Sequence, residues 1–385
     1  MKAVGLVVEY NPLHNGHLYH LQAAKQRSGA DVVVAVMSGN FLQRGEPAIL
    51  DKWTRAQAAL AHGVDLVVEL PFAAAVAPAD RFASGAINLL AALQCDSLVF
   101  GTENTAIDYQ AVGRQLATLP NLHEYFRDYQ QTYATQLNHF YQATLHLNID
   151  SPNQLLGLSY ATANAKLARP LQLLPLARKN AQYQDTTLNG TAIASATAIR
   201  RLALGQTTAS QAIATVVPPD IAQALQQQKL VSWADFFPYL RYRILSTPTA
   251  ELGQLYQMTE GLEYRFHSVI KNVTNFPELL RALKTKRYTY TRLQRLCLYV
   301  LLNIHTPAIR QVEQQPYIHL LGFSQRGQAY LHQIKAQLDR PLIARVSQKI
   351  GAEAGLLGLE VRVDDVYAQI NGHEQNFNRP PLRAK

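Results

Sequence analysis

Lys2-Ala3-Val4-Gly5-Leu6-Val7-Val8-Glu9-Tyr10-Asn11-Pro12-Leu13-His14-Asn15-Gly16-His17-Leu18-Tyr19-His20 is the stretch that decides the fold. Val4 to Val8 is apolar, rich in β-branched residues and too short for a core helix, so it predicts a buried strand. Asn11-Pro12 punctuates it, because a residue before proline is pushed out of the helical region. From Leu18 to Arg27 the spacing of Leu18, Leu21 and Ala24 predicts a helix. His14 and His17 therefore sit where a strand gives way to a helix. Such a junction offers free main-chain N–H groups and the positive end of the helix dipole, a ready site for phosphate. Gly16, lacking a Cβ, would let a flat ligand approach the backbone. Two surface histidines in a polar turn would look the same, so the rest of the chain must decide.

With 385 residues and 48% hydrophobic content, the chain can bury at least one full core and is expected to hold two domains. No run of eighteen apolar residues predicts a membrane span. The chain opens on a strand, not on a charged segment followed by an apolar one, so no secretion signal is expected. Cys95 and Cys297 lie far apart in apolar segments. They predict two buried thiols in a reducing cytoplasm, not a disulfide or a zinc site, and the expected location is cytoplasmic. The net charge of +9 is concentrated. Between Tyr264 and Arg345 stand thirteen basic residues against three acidic ones (Glu278, Glu313, Asp339), which accounts for the whole surplus. An acidic partner is implied.

The first hundred residues alternate short apolar runs with helical patterns. Strands are expected at Asp31 to Val36, Val64 to Glu69, and Asp96 to Phe100, with helices at Asp51 to His62 and Asp80 to Leu93. That alternation predicts a parallel sheet covered on both faces, with a ligand beyond the strand ends where strand order reverses. Three polar clusters fall at those ends: His14 to His17, Ser38-Gly39-Asn40, and Gly101-Thr102-Glu103-Asn104. Residues 106–165 read as mostly helical, Leu171 to Ala177 as a fifth strand, and Asn180 to Ala192 as a flexible loop. Val217-Pro218-Pro219-Asp220 is the best linker candidate, and everything beyond it reads as helical. The fold class expected is α/β: a Rossmann-like parallel-sheet domain over residues 1–205, followed by a mostly α-helical domain over residues 206–385.

His-x-Gly-His after the first strand resembles the signature of the nucleotidyltransferase superfamily, which attacks the α-phosphate of ATP and releases pyrophosphate. Ser195 and Thr197 open a predicted helix with Arg200 and Arg201 one turn in. On their own they would be an ordinary N-cap. With the upstream histidines they resemble the superfamily's second signature, which binds the β- and γ-phosphates. Ala196 departs from that pattern where many members carry a hydroxyl.

The resemblance narrows further. Asn11 to His17, Ser38-Gly39-Asn40-Phe41, Gly101-Thr102-Glu103, Ser151-Pro152-Asn153-Gln154-Leu155, Arg178-Lys179, Ser195 to Arg200 and Tyr317 to Phe323 together resemble the bacterial tRNA(Met) cytidine acetate ligase family, over most of the chain. That family uses ATP and acetate to acetylate the N4 amine of the wobble cytidine in elongator tRNA(Met). The resemblance implies catalytic roles for His14 and His17. It implies ATP contacts at Val7, Val8, Glu9, Tyr10, Asn11, Pro12, Leu13, His14, Asn15, Gly16, His17, Leu18, Tyr19 and His20, then at Gly101, Asn153, Arg178, Lys179, Ser195, Thr197 and Arg200. Mg²⁺ is expected to bridge phosphate oxygens, with no dedicated protein metal site. Asn153 would otherwise be a turn former, and Glu103 is open between ribose contact and solvent. Lys284, Lys286, Arg287, Arg292 and Arg295, interleaved with Tyr288 and Tyr290, read as a tRNA backbone surface with stacking aromatics. A solvated helical face is the plainer alternative; the charge concentration favours RNA. His62, Trp53 and Cys297 are assigned to packing. Two rivals remain: a small-molecule adenylyltransferase of the nicotinamide-mononucleotide or phosphopantetheine type, and a non-catalytic tRNA-binding protein.

Overall fold

A computed structural model of the chain describes residues 1–119, 133–145, 147–149, 151–178, 193–205 and 210–384. The described residues form one sheet of eight strands: β1 (Ala3–Val8), β2 (Val32–Ser38), β3 (Leu66–Leu70), β4 (Ser97–Thr102), β5 (Gln172–Ala177), β6 (Ile318–Phe323), β7 (Leu342–Ile343) and β8 (Leu382–Arg383). The order is β5-β4-β1-β2-β3-β6-β7, with β8 also paired to β6. Strands β1 to β5 are mutually parallel, with β1 in register against β2 from Ala3–Val32 to Val8–Met37. Their apolar runs are buried on both faces because side chains alternate. Val32, Val34 and Val36 enter one core while Val33, Ala35 and Met37 enter the other.

Strand order reverses between β1 and β4, so their carboxyl ends splay apart and leave a crevice. Helix Asn15–Ser28 leaves from the end of β1, and helix Lys52–Ala61 covers the same face. Helices Ala79–Ala92, Tyr109–Thr118 and Pro152–Ala165 contribute to the core on the opposite face. The loop read at Asn180 to Ala192 lies outside the described residues.

Two expectations fail downstream of residue 217. Val217-Pro218-Pro219-Asp220 is not a linker: Val216 and Val217 are buried in the core beneath the first helix, and the Val216 carbonyl accepts the Asn15 N–H. Nor is the remainder all helical. Ile318 to Phe323 turns back into the sheet as β6, antiparallel to β3, with a register irregularity between Val67 and Val68. Ile318, Leu320 and Leu321 alternate between the two faces, a strand period that helical surroundings obscured. Helices Trp233–Ser246, Leu262–Ile270, Phe276–Leu283 and Tyr290–Leu301, before β6, and Gly358–Asn371, after β7, share a third core. Phe41 from the loop after β2 and Phe72 from the short helix Phe72–Ala75 after β3 are part of it, and the Trp233 ring stacks on Phe276 at 3.9 Å.

Gly45 shows how tightly the two halves fit. Its φ of +78° suits glycine, and a Cβ there would lie 2.7 Å from the Arg295 Cα. Trp233 Nε1 donates to the Gly45 carbonyl at 2.9 Å, fixing the loop on the helical portion.

Candidate active site

Tyr10, at φ 48°, and a cis Asn11-Pro12 bond carry the chain from β1 around into the first helix. His14 is that helix's N-cap: its Nδ1 accepts the Gly16 N–H at 3.0 Å. His17 answers it, with Nδ1 accepting the His14 N–H at 3.3 Å. The two histidines thus build a capping box from imidazoles. Because each Nδ1 is an acceptor, each neutral ring carries its proton on Nε2, a tautomer assigned from this bonding. The rings stack at 3.8 Å, and Tyr10 packs edge-on against His17 at 5.0 Å. Gly16 also leaves room for the His14 ring: a Cβ there would stand 2.8 Å from His14 Cε1.

Burial first, then the nearby Arg178 and Arg200 guanidinium groups, pull the His14 pKa down to about 3. Burial and the neighbouring His14 push His17 well below the usual histidine value, and burial takes His20 to about 4. At neutral pH the pair is uncharged and can donate from Nε2.

These rings line a cavity of about 1040 Å³. Of the residues expected to contact nucleotide, Val7, Val8, Glu9, Gly16, Tyr19 and His20 line it too. So do Gly101, Asn153 and Arg178, and Ser195, Ala196, Thr197 and Arg200. Others are not on its wall. Leu13 and Tyr10 are buried in the core, Asn11 is buried with Oδ1 accepting the Ile49 N–H, and Leu18 packs against the same core. Pro12 is buried beside them, and Asn15 Nδ2 donates to the Thr215 carbonyl. These residues shape the turn. Lys179 lies outside the described residues.

Asn153 is not in a free turn. Ser151 caps helix Pro152–Ala165, and Asn153 in its first turn donates to Glu103 Oε1 at 2.6 Å. Glu103 also accepts a very short bond from the Ser151 hydroxyl and lies 3.6 Å from Arg178 Nε. The ends of β4 and β5 and this helix terminus therefore form one polar rim. Ser195 Oγ accepts the Ala198 N–H at 3.1 Å, an N-cap. Arg200 is already engaged: Nη1 donates to the Asn11 carbonyl and Nη2 to Glu46.

The Ser38-Gly39-Asn40 cluster does not border the cavity. Asn40 Nδ2 donates to Asp364 Oδ1 at 2.8 Å, so the C-terminal helix has closed that strand end. A residue that sequence reasoning passed over holds the strand ends together. Arg55, fully buried, donates from Nε to the Leu50 carbonyl and from Nη1 to those of Glu9 and Ser38. Its Nη2 reaches the Gly39 carbonyl. Its signal was an arginine on the apolar face of an alanine-rich helix, which demands buried acceptors.

The profile of the family described as HIGH Nucleotidyl Transferase matches residues 1–379. The tRNA(Met) cytidine acetate ligase of Latilactobacillus sakei is 56% identical over 382 residues, covering 99% of this chain and 97% of that protein. The chain belongs to the tRNA(Met) cytidine acetate ligase family. The family member from Lactiplantibacillus plantarum is 46% identical over 384 residues, 100% of this chain and 98% of that protein. Thermotoga maritima TmcAL superposes with a TM-score of 0.89 in its apo form, at 27% identity, covering 100% of this chain and 99% of that one. With α-thio ATP bound, that family member gives 0.88 at 28% identity, covering all of both chains.

The residues expected on the family's RNA-facing side divide. Lys286 is exposed, and Lys284 lies 5.6 Å from the ring centre of the exposed Tyr290. Arg287 pairs closely with Glu260, and Arg292 stacks on Tyr288 at 4.6 Å. Arg295 departs from the expectation. It is 7% exposed and lines the cavity, because the Gln43–Glu46 loop packs over it. The three packing assignments also divide: Trp53 and Cys297 are buried, whereas His62 is a partly exposed partner of Asp220. Cys95 and Cys297 are free and buried. No described helix is long and apolar enough to cross a membrane.

Proposed function

We propose that this chain ligates acetate, using ATP, to the N4 amine of the wobble cytidine of elongator tRNA(Met), giving N4-acetylcytidine. The observation that carries the reading is the stacked, neutral His14–His17 pair at a helix N-terminus, in one cavity with Arg178, within a chain of this family.

The residues suit a two-step reaction. A carboxylate cannot acylate an amine directly, because oxide would have to leave. An acetate oxygen attacks the α-phosphorus of ATP, the bond to the β-phosphate bridging oxygen breaks, and pyrophosphate departs. His14 and His17 donate from Nε2 to the α-phosphate oxygens as charge grows on five-coordinate phosphorus. Arg178 and the amides of the Ser195–Thr197 turn hold the leaving group, with Arg200 beside them. Val7 to His20, Gly101, Asn153, Arg178, Lys179, Ser195, Thr197 and Arg200 constitute the ATP site in this reading, some of them by shaping the turn. Mg²⁺ would enter with the substrate as MgATP and would offset phosphate charge there. Cytidine N4 then attacks the acetyl carbonyl and AMP leaves. The wobble base, in a single-stranded loop, can be splayed into the cavity at modest cost. Residues 1–205 supply the nucleotide chemistry and residues 206–385 the RNA contacts, through Lys284, Lys286, Arg287 and Arg292.

Pyrophosphate release tests this. Acetate-dependent release with ¹⁴C-acetate appearing in tRNA supports the ligase. Release driven by a mononucleotide would support a small-molecule adenylyltransferase, and no release would leave a tRNA-binding protein.

A further inference from the structure

Tyr160, two turns into helix Pro152–Ala165, lines the cavity although only 3% of it is exposed. Its ring packs on Phe100 of β4, with centroids 5.8 Å apart and planes at 60°. Gly157, one turn earlier on the same face, permits this approach: a Cβ there would stand 2.8 Å from Phe100 Cε2 and from Tyr109 Cε1. The ring is held, yet its hydroxyl bonds to no described residue and is not sealed into the core. It opens on the cavity, and a phenol so deeply buried without a protein partner is fitted to a ligand atom. Burial first, and then the Glu9 carboxylate, push its pKa up, so the hydroxyl keeps its proton and is a donor.

Glu9 links this wall to the histidines, because Arg200 is a charged neighbour of both Glu9 and His14. Arg44 and Arg200 offset the Glu9 charge there. The two walls stand over opposite faces of the sheet. Ala194 and Ile199, which bracket the Ser195–Thr197 turn, are buried with the first helix, whereas Tyr160 and Phe100 are buried in the core of the other face. In phosphoryl transfer the attacking and leaving oxygens lie roughly in line through phosphorus. With pyrophosphate leaving towards the Ser195–Thr197 turn, the attacking acid comes from the Tyr160 side.

We propose that Tyr160 is a catalytic residue whose hydroxyl donates to the acetate oxygen that stays off phosphorus, and to the same oxygen when it becomes the oxyanion of acyl transfer. The assignment rests on the ligase reading above and on ATP lying with its α-phosphate at the histidines. In the first step one acetate oxygen bonds to the α-phosphorus and pyrophosphate leaves with the electron pair of the broken bond. The other oxygen, held by the phenol, keeps the acid aimed along the line of attack. In the second step cytidine N4 bonds to the acetyl carbon and the carbonyl electron pair moves onto that oxygen. The pair then returns, AMP leaves with the electrons of its bond to carbon, and N4 sheds a proton to solvent. The phenol keeps its own proton throughout, and its hydrogen bond is strongest when the oxygen is fully charged.

Tyr160→Phe in the full-length protein removes the hydroxyl and leaves the packing on Phe100. Two measurements are made on it: acetate-dependent pyrophosphate exchange, and single-turnover transfer from preformed acetyl-adenylate to unmodified elongator tRNA(Met). The KM for acetate is expected to rise about tenfold, with the KM for ATP unchanged. Transfer is expected to slow by about a hundredfold, the usual effect of losing one oxyanion donor, with tRNA binding unaltered. An acetate KM and a transfer rate both within about threefold of wild type would overturn the assignment. So would an effect confined to the KM for ATP, which would put the nucleotide against this hydroxyl. Failure of the wild-type protein to release pyrophosphate with acetate would instead sink the parent reading, without reference to any variant.

Discussion

Lys52 Nζ lies 2.6 Å from Asp364 Oδ2, 312 residues further along the chain, with both side chains out of solvent. The same ammonium meets both Glu69 oxygens, and Glu69 Oε2 is 2.6 Å from His319 Nδ1 on β6. The sheet, helix Lys52–Ala61 and the C-terminal helix are thus locked together by one buried charge cluster. Removing one member leaves others ionised and unpaired, so Lys52→Ala should cost about 3–5 kcal/mol of stability. Urea unfolding checks this; a loss under about 1 kcal/mol would mean the cluster contributes little.

Glu360 sits at the edge of that cluster, accepting the Phe72 N–H and the Tyr317 hydroxyl at Oε1. Burial and the nearby Glu69 and Asp364 carboxylates push its pKa up to about 8. A carboxyl whose folded pKa is raised destabilises the fold as pH climbs from its unfolded value through the folded one. Glu360→Gln keeps the acceptor and removes the titration. Its melting temperature should rise relative to wild type as pH increases from 4.5 through about 8. A difference independent of pH would mean that Glu360 does not titrate in this range.

His14 caps the first helix, and one substitution can separate that role from the catalytic one proposed for it. Asparagine accepts the Gly16 N–H as well as imidazole does, but donates nothing from the Nε2 position. His14→Asn should therefore fold like wild type yet lose acetate-dependent pyrophosphate exchange. His14→Ala should lose the exchange and about 1 kcal/mol of cap as well. Equal stability of the two would mean the imidazole cap is energetically idle. His17→Ala should also abolish adenylate formation while tRNA binding survives.

The depressed histidines carry a pH signature of opposite sign to that of Glu360. With folded pKa values of about 3 for His14 and about 4 for His20, against 6.5 unfolded, the unfolded chain takes up protons first as pH falls. Stability should drop progressively below 6.5, and less steeply in a His14→Asn variant. Thermal melts across that interval are the measurement; parallel slopes would argue that His14 is not buried as described.

On the surface proposed to meet RNA, exposed Lys286 is the cleanest probe, since Arg287 is tied to Glu260. Lys286→Glu should weaken tRNA binding and lower the slope of log K against log salt by about one. An unchanged slope would put the phosphate contacts elsewhere.

How legible all this was follows from where each signal lives. The strands from β1 to β5 announce themselves locally, as apolar runs too short for helices, and their alternation with helices implies a parallel sheet. His14, Gly16 and His17 mark the site because a strand end, a turn and a helix start are all encoded within a dozen consecutive residues. What remained hidden needed partners distant in the chain. Ile318 to Phe323 becomes a strand only because β3 offers it an open edge. Arg55 can be buried only because four carbonyls converge on it, and Arg295 moves from surface to cavity wall because Gly45 lets a loop close over it. Local periodicity and turn chemistry are properties of neighbouring residues, so the sequence by itself determined strands β1 to β5 and the histidine turn. Burial and pairing of charge depend on contacts across hundreds of residues, and only the tertiary structure decided those.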